Sequence, residues 1–182
     1  KDAVRAARQD DRMLSVLYVD LDNFRRINDV LGHIVGDEMM RNVAQRLQEI
    51  LRRDAGTASA PRPDVGTDDI ARLGGDQFML LLRNVVSPDD ASEVASDLTR
   101  PFMAPARASQ SPVKLTASVG IAIFPNDSTD EEDLLRHSGI AMYEAKRRGH
   151  GQFAFFGRAM SDGARTRFSL ERQLESALAR NE

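Results

Sequence analysis

Three aspartates and a pair of glycines hold the residue types in this chain that could do chemistry. Asp20 and Asp22 follow an apolar run, Leu14 to Val19, while Asp76 follows Gly74-Gly75 between two further apolar runs. Paired glycines leave backbone N–H groups open to close approach by an anion, and Asp76 adds a carboxylate at the same tip. Two carboxylates, a backbone carbonyl and a nearby phosphate would make an oxygen cage for Mg2+. Acidic strand ends of this kind suit metal-assisted phosphoryl or nucleotidyl transfer. The same residues also read as a tight turn and solvated loop acids that serve solubility.

Such groups must be positioned by strands that stop where the acids begin. Leu14 to Val19 reads as a buried strand that delivers Asp20-Leu21-Asp22-Asn23-Phe24 at its C-terminal end. Ile70 to Leu73 and Phe78 to Leu82 read as strands of a hairpin, with the glycine turn at its tip. After Asp37, Met40, Val43, Ala44, Leu47, Ile50 and Leu51 recur at helical spacing. Ser87-Pro88-Asp89-Asp90 opens another helix, with serine as cap and proline at the first position. Ala91, Val94, Ala95, Leu98 and Phe102 form its buried face. Val113 to Phe124 reads as one long strand. Thr129 with Glu132 makes a capping box for a helix to about Arg148. Gln152 to Phe156 is a short strand, and a polar helix runs from about Ser161 with Leu170, Leu174, Ala177 and Leu178 on one stripe. Asp54 to Asp69 and Pro101 to Pro112 are rich in breakers, the first a long mobile loop. Strands mixed with crossover helices predict a ferredoxin-like α+β fold, a mostly antiparallel sheet covered by helices on one face.

Composition limits the alternatives. At 182 residues the chain suits one α/β domain with a sizeable core. The net charge of −3 gives no electrostatic footprint for nucleic acid. Arg52-Arg53 and Lys146-Arg147-Arg148 fall at predicted helix ends, where helix-dipole complementation explains basic residues. The chain has no cysteine, which excludes a disulfide scaffold and fits a reducing compartment. No apolar run reaches membrane-spanning length and no signal peptide is visible, so the expectation is a cytoplasmic segment without membrane contact. A parent protein could still be anchored elsewhere.

Four ordered blocks carry a family resemblance. Asp20-Leu21-Asp22-Asn23-Phe24-Arg25-Arg26-Ile27-Asn28-Asp29, with Gly32-His33 and Gly36-Asp37, resembles the opening signature of GGDEF domains. Gly74-Gly75-Asp76-Gln77-Phe78 resembles their naming motif with one substitution. Leu115 to Ala122 resembles their later strand, and Ala141-Met142-Tyr143-Glu144-Ala145-Lys146 with Gly149 resembles their closing helix. The blocks span Leu14 to about Phe156. The resemblance implies the palm-like sheet of nucleotide cyclases over residues 1–160. Residues 161–182, with Leu170-Glu171-Arg172-Gln173-Leu174, resemble the connector to a following EAL domain, the cyclic-di-GMP phosphodiesterase module. An ordinary amphipathic C-terminal helix accounts for the same pattern.

GGDEF domains condense two GTP molecules into cyclic di-GMP, releasing pyrophosphate across a head-to-head homodimer. By resemblance, Asp20 and Asp76 would carry Mg2+ or Mn2+ through carboxylates and Leu21 through its carbonyl, with Asp76 as the base. Asn28 and Asp37 match guanine-recognising positions, and His33 another substrate contact. An amide and a carboxylate suit the guanine edge, although Asn28 also reads as a turn residue, Asp37 as a helix cap and His33 as structural. Arg25 stands near the reacting phosphate where lysine is usual. Lys146 matches the phosphate-binding lysine, or else decorates a helix terminus.

Three departures bear on activity. Gln77 stands where the family has glutamate, removing an anionic ligand. His150 stands where a second phosphate-binding arginine is common. The inhibitory Arg-x-x-Asp motif is incomplete, with Val65 at the arginine position and Asp68 retained. Together they lead to a degenerate domain that binds GTP weakly or not at all and regulates an attached EAL domain in cis. A slow diguanylate cyclase and a ligand-free dimerisation scaffold remain the alternatives.

Overall fold

The computed structural model describes residues 2–52, 69–103 and 114–161. The predicted C-terminal connector beyond Ser161 and all of the predicted Asp54 to Asp69 loop except Asp69, and so Val65 and Asp68, lie outside the described residues. In chain order the elements are α1 (Asp2–Gln9), β1 (Met13–Leu21), α2 (Phe24–Leu31), α3 (His33–Arg52), β2 (Ile70–Gly74), β3 (Gln77–Val85), α4 (Pro88–Thr99), β4 (Phe102–Met103), β5 (Lys114–Leu115), β6 (Ala117–Phe124), α5 (Glu131–Arg148) and β7 (Phe153–Phe155).

Five strands form one sheet in the order β2-β3-β1-β6-β7, and β4 pairs with β5 apart from it. β1 lies antiparallel to both β3 and β6, β2 is antiparallel to β3, and only the β6–β7 pairing in this sheet is parallel. The expected α+β, mostly antiparallel sheet is therefore the observed one, with the apolar β1 at its centre. Register fixes the neighbours of the first acid: Asp20 stands opposite Gln77 on one side and Ser118 on the other.

Helices cover the sheet on both faces, not on one. Leu17, Val19 and Leu21 of β1 pack with Met39, Met40, Val43 and Leu47 of α3 and with Ala91, Val94 and Leu98 of α4. Leu14 and Val16, on the opposite face, pack with Ala7 of α1 and with Leu134 and Ala141 of α5. All eight residues of β6 are buried, as cover on both faces requires. α5 lies directly on Gly120: a Cβ there would stand 2.0 Å from the backbone of Ser138 and Met142. This close approach brings the C-terminal turn of α5 over the end of β1.

Local signals hold in part. α4 starts as expected, with Ser87 at the cap and Pro88 next, and Ser87 and Asp90 close a capping box there. α5 is capped by Asp130 rather than Thr129; the Asp130 carboxylate accepts the N–H of Asp133 at 3.0 Å. α3 begins at His33, so Asp37 lies inside the helix and does not cap it. The long strand predicted from Val113 is interrupted at Thr116. Among the described residues no helix is long and apolar enough to cross a membrane.

Candidate functional site

The C-terminal end of β1, the start of β3 and the last turn of α5 meet at Asp20. This residue is 5% exposed. One carboxylate oxygen accepts from the Lys146 ammonium at 2.5 Å, and the other accepts from the Gln77 amide at 3.0 Å. The Gln77 carbonyl oxygen in turn accepts from the Tyr18 hydroxyl at 2.8 Å. Burial, reinforced by the Asp20 and Asp76 carboxylates, raises the Tyr18 phenol above its ordinary value and keeps it a donor. Tyr18, Gln77, Asp20 and Lys146 thus form one chain of hydrogen bonds across β1, β3 and α5.

Asp76 adjoins this corner, its backbone carbonyl accepting the Leu21 N–H at 3.0 Å. The hairpin tip has the expected form. Gly74 and Gly75 hold φ of 143° and 54°, and a Cβ at either would meet open space, so conformation rather than crowding calls for glycine. Arg72 folds back on the tip, donating to the Gly75 carbonyl at 2.6 and 3.1 Å.

Asp22, although only two residues from Asp20, has different work. It is buried and accepts from Ser118 and Thr116 hydroxyls at 2.7 Å each and from the Gly151 N–H at 2.9 Å. His150 Nδ1 lies 3.1 Å from the same carboxylate. Asp22 therefore clamps the exit of β1 to the start of β6 and to the loop after α5, and its oxygens are spent there. By sequence Asp22 counts among the cage acids and His150 as a lost phosphate clamp; the geometry joins the two. Sequence reasoning misses Tyr18 and the clamp around Asp22. The available signal is Thr116 and Ser118, two hydroxyls at strand spacing in an otherwise apolar segment.

The basic run at the end of α5 also divides. Lys146 turns to Asp20, whereas Arg147 and Arg148 pair with Glu144, whose carboxyl is held down at about 2, chiefly by Arg147. Helix-dipole complementation, the sequence-based account of this cluster, therefore leaves out its most specific contact.

The base-recognition candidates lie on the α2–α3 hairpin. Asn28 Oδ1 is buried and has no hydrogen-bond partner. It points at Gly36, where a Cβ would come within 1.7 Å of it. Gly36 thus makes room for the Asn28 amide next to Asp37, and both Asp37 and His33 are exposed. Arg25, also exposed, is the second residue of α2. The hairpin is joined to the acidic corner through Asp22-Asn23, where Asn23 takes a left-handed conformation before α2.

The Mg2+ implied by the resemblance finds a poor donor set here. Both Asp20 oxygens already receive N–H donors, and a cation would have to displace an ammonium and an amide. Among the described residues no group of three or more His, Cys, Asp or Glu is arranged to hold a metal ion. The residues present do not fit a resident divalent cation in the nucleotide-free domain.

Known proteins resemble the chain throughout. The family model for the diguanylate cyclase GGDEF domain matches residues 1–152. MucR of Pseudomonas aeruginosa, a bifunctional diguanylate cyclase/cyclic di-GMP phosphodiesterase, is 35% identical over 99% of this chain, which spans 24% of MucR. The diguanylate cyclase TpbB of the same organism is 37% identical over 82% of the chain, which spans 32% of it. The GGDEF domain of TpbB superposes with a TM-score of 0.72 at 31% identity, covering 90% of this chain and 88% of that one. An EAL/GGDEF domain protein from M. capsulatus superposes with a TM-score of 0.65 at 33% identity, covering 86% and 92%. With its central sheet, its glycine hairpin and this match, the chain belongs to the GGDEF domain family of cyclic-di-GMP signalling.

Proposed function

We infer that this domain binds GTP and acts as a regulatory, catalytically impaired member of its family. The observation that carries this reading is the buried, unpartnered Oδ1 of Asn28 against Gly36, beside Asp37. A buried polar atom without a partner costs on the order of 1–3 kcal/mol. A purine edge that hydrogen-bonds to it would recover that cost, with the amide orientation following the ligand. Asp37 adds a carboxylate for paired N–H donors such as those of guanine. At the phosphate end, Lys146 is 30% exposed and has three N–H donors, so it can meet a phosphate while holding Asp20. The open backbone of the Gly74-Gly75 tip offers a second phosphate contact.

GGDEF domains use Mg2+ or Mn2+, and catalysis in the family needs a head-to-head pair. Here Gln77 and His150 each engage an aspartate of the domain itself, which supports impaired chemistry with nucleotide recognition spared. Ligand contact at Lys146 would act on the last turn of α5, and hence on the Gly149–Gly151 loop and β7, toward a neighbouring domain. An EAL domain is the proposed neighbour, since M. capsulatus supplies an EAL/GGDEF relative and MucR is described as bifunctional. The competing reading, a slow diguanylate cyclase, draws on Asp20 and Asp76 lying at adjoining strand ends and on the likeness to TpbB.

Calorimetry of GTP binding with chromatographic product analysis tests both. Binding without cyclic di-GMP is the expected result, and it weakens at least tenfold in Asn28→Ala. Robust product refutes impairment. Absence of binding refutes the regulatory reading and leaves a ligand-free scaffold.

A further inference from the structure

We propose that Gln77 is an internal substitute for a metal ion: its side-chain amide closes the cation site at Asp20 and makes this corner stable without divalent metal. The proposal concerns the nucleotide-free domain and stands whether or not GTP binds.

The geometry assigns three tasks to one side chain. Gln77 Nε2 donates to Asp20 Oδ2 at 3.0 Å, Gln77 Oε1 accepts from Tyr18 at 2.8 Å, and Lys146 occupies Asp20 Oδ1 at 2.5 Å. Asp20 and Gln77 face each other across the β1–β3 ladder, so the contact is fixed by backbone register rather than by a mobile loop. An amide can perform both the donor and the acceptor task at once; a carboxylate can only accept. Glutamate at position 77 would keep the Tyr18 bond but turn a second anionic oxygen toward buried Asp20, with Asp76 alongside. Like charges placed so close favour uptake of a cation or a proton. The Gln77 amide satisfies Asp20 instead, and the ammonium of Lys146 balances its charge. A hard divalent cation is held by oxygens, usually with one or two carboxylates among them. Here the Asp20 oxygens are occupied and the third carboxylate is replaced by an amide. Gln77 is therefore a positioning residue whose effect is to remove metal dependence from the fold of the site.

The test uses the 182-residue protein without nucleotide. Mn2+ binding is followed by electron paramagnetic resonance, and thermal unfolding is recorded in EDTA and in millimolar Mn2+, for wild type, Gln77→Glu and Gln77→Met. Wild type is expected to show no site in the micromolar range and an unfolding midpoint the same in EDTA and Mn2+. Gln77→Glu is expected to bind Mn2+ at least tenfold more tightly, with a midpoint lowered by about 3–8 °C in EDTA and recovered by the metal. Gln77→Met loses both hydrogen bonds without adding charge, so its midpoint falls by a similar amount and Mn2+ does not restore it. A wild-type protein that captures Mn2+ as tightly as Gln77→Glu overturns the proposal. So does a Gln77→Met protein as stable as wild type, and this arm remains decisive if Gln77→Glu does not fold. Failure of GTP binding would refute the regulatory reading and leave these metal measurements untouched.

Discussion

Lys146→Met isolates the strongest electrostatic contact of the site. The lysine side chain is 30% exposed and that of its partner Asp20 is 7% exposed, with 2.5 Å between them. Removing one member of a fully buried ion pair typically costs about 3–5 kcal/mol, because the other charge is left unpaired. Two features reduce that here: water reaches the lysine position, and Gln77 still donates to the second Asp20 oxygen. An exposed pair would be worth about 0–1 kcal/mol, so the partly buried case falls near 1.5–3 kcal/mol. In a domain of this size, that lowers the thermal midpoint by about 4–10 °C. Asp20→Asn costs less, about 1–2 kcal/mol, since the lysine can turn toward solvent while the amide stays hydrogen-bonded. The double variant should be more stable than the sum of the single losses predicts, by about 1 kcal/mol or more. Urea unfolding of the four proteins supplies the cycle. A Lys146→Met protein within 0.5 kcal/mol of wild type, or strict additivity, would refute the claim that α5 is pinned to β1 through this pair.

Three further outcomes rest on the same geometry. Asp22→Ala strips partners from Thr116, Ser118, His150 and Gly151 at once, and should cost about 3 kcal/mol or more in urea unfolding. Gly36→Ala places a methyl 1.7 Å from Asn28 Oδ1 but in a helix that favours alanine by about 1 kcal/mol. Because the Asn28 amide can rotate away, stability should hold within about 1 kcal/mol. GTP affinity by calorimetry should nevertheless fall about tenfold or more, the equivalent of about 1.4 kcal/mol. His137 is buried, stacks on Phe156 at 3.8 Å, and is shifted below the ordinary imidazole value, first by burial and then by Arg136. Its neutral form belongs to the folded state, so this contribution is complete above about pH 6.5 and is lost as pH falls through the lowered folded value. Wild type should therefore lose stability relative to His137→Gln between about pH 7 and 5. A pH-independent difference between the two would contradict the assignment.

The strands and their order of acids were legible in the chain, because apolar runs ending in Asp20 and flanking Gly74-Gly75 admit few other structures. The packing of β6 was not. Ala117 to Phe124 contains only small and apolar residues, so alternation cannot tell cover on one face from cover on two, and it took α3, α4 and α5 to decide. The one-residue error at the start of α5 has a local cause. Thr129 and Asp130 both suit a cap, and the Ser128 hydroxyl accepts the Asp130 N–H at 3.0 Å, fixing the later choice. Asp37 looked like a cap because it precedes the regular apolar spacing. The helix starts earlier because Gly32, at φ 84°, ends α2 and turns the chain into α3 at once. The resemblance singles out Lys146, whereas its place near a helix end suggests only decoration, and neither gives its direction. That depends on how closely α5 approaches the backbone at Gly120.

The corner itself shows why a motif match and a site are different things. Position 77 changes one terminal group, yet that group stands between a buried carboxylate and a phenol, so its chemistry decides what both can bind. With glutamine, Asp20 is matched by one ammonium and one amide, and Asp76 remains the nearby anion with a backbone role at Leu21. With glutamate, the same backbone would hold three carboxylates against one lysine, and a polyanionic nucleotide would be repelled until a cation arrived. On the proposal made above, the exchange of glutamate for glutamine takes away a metal ligand and much of the need for the metal. Impaired catalysis and metal-independent stability, the two proposals made for this domain, would both follow from the same atom exchange. They are separated only by measuring stability and metal uptake apart from turnover.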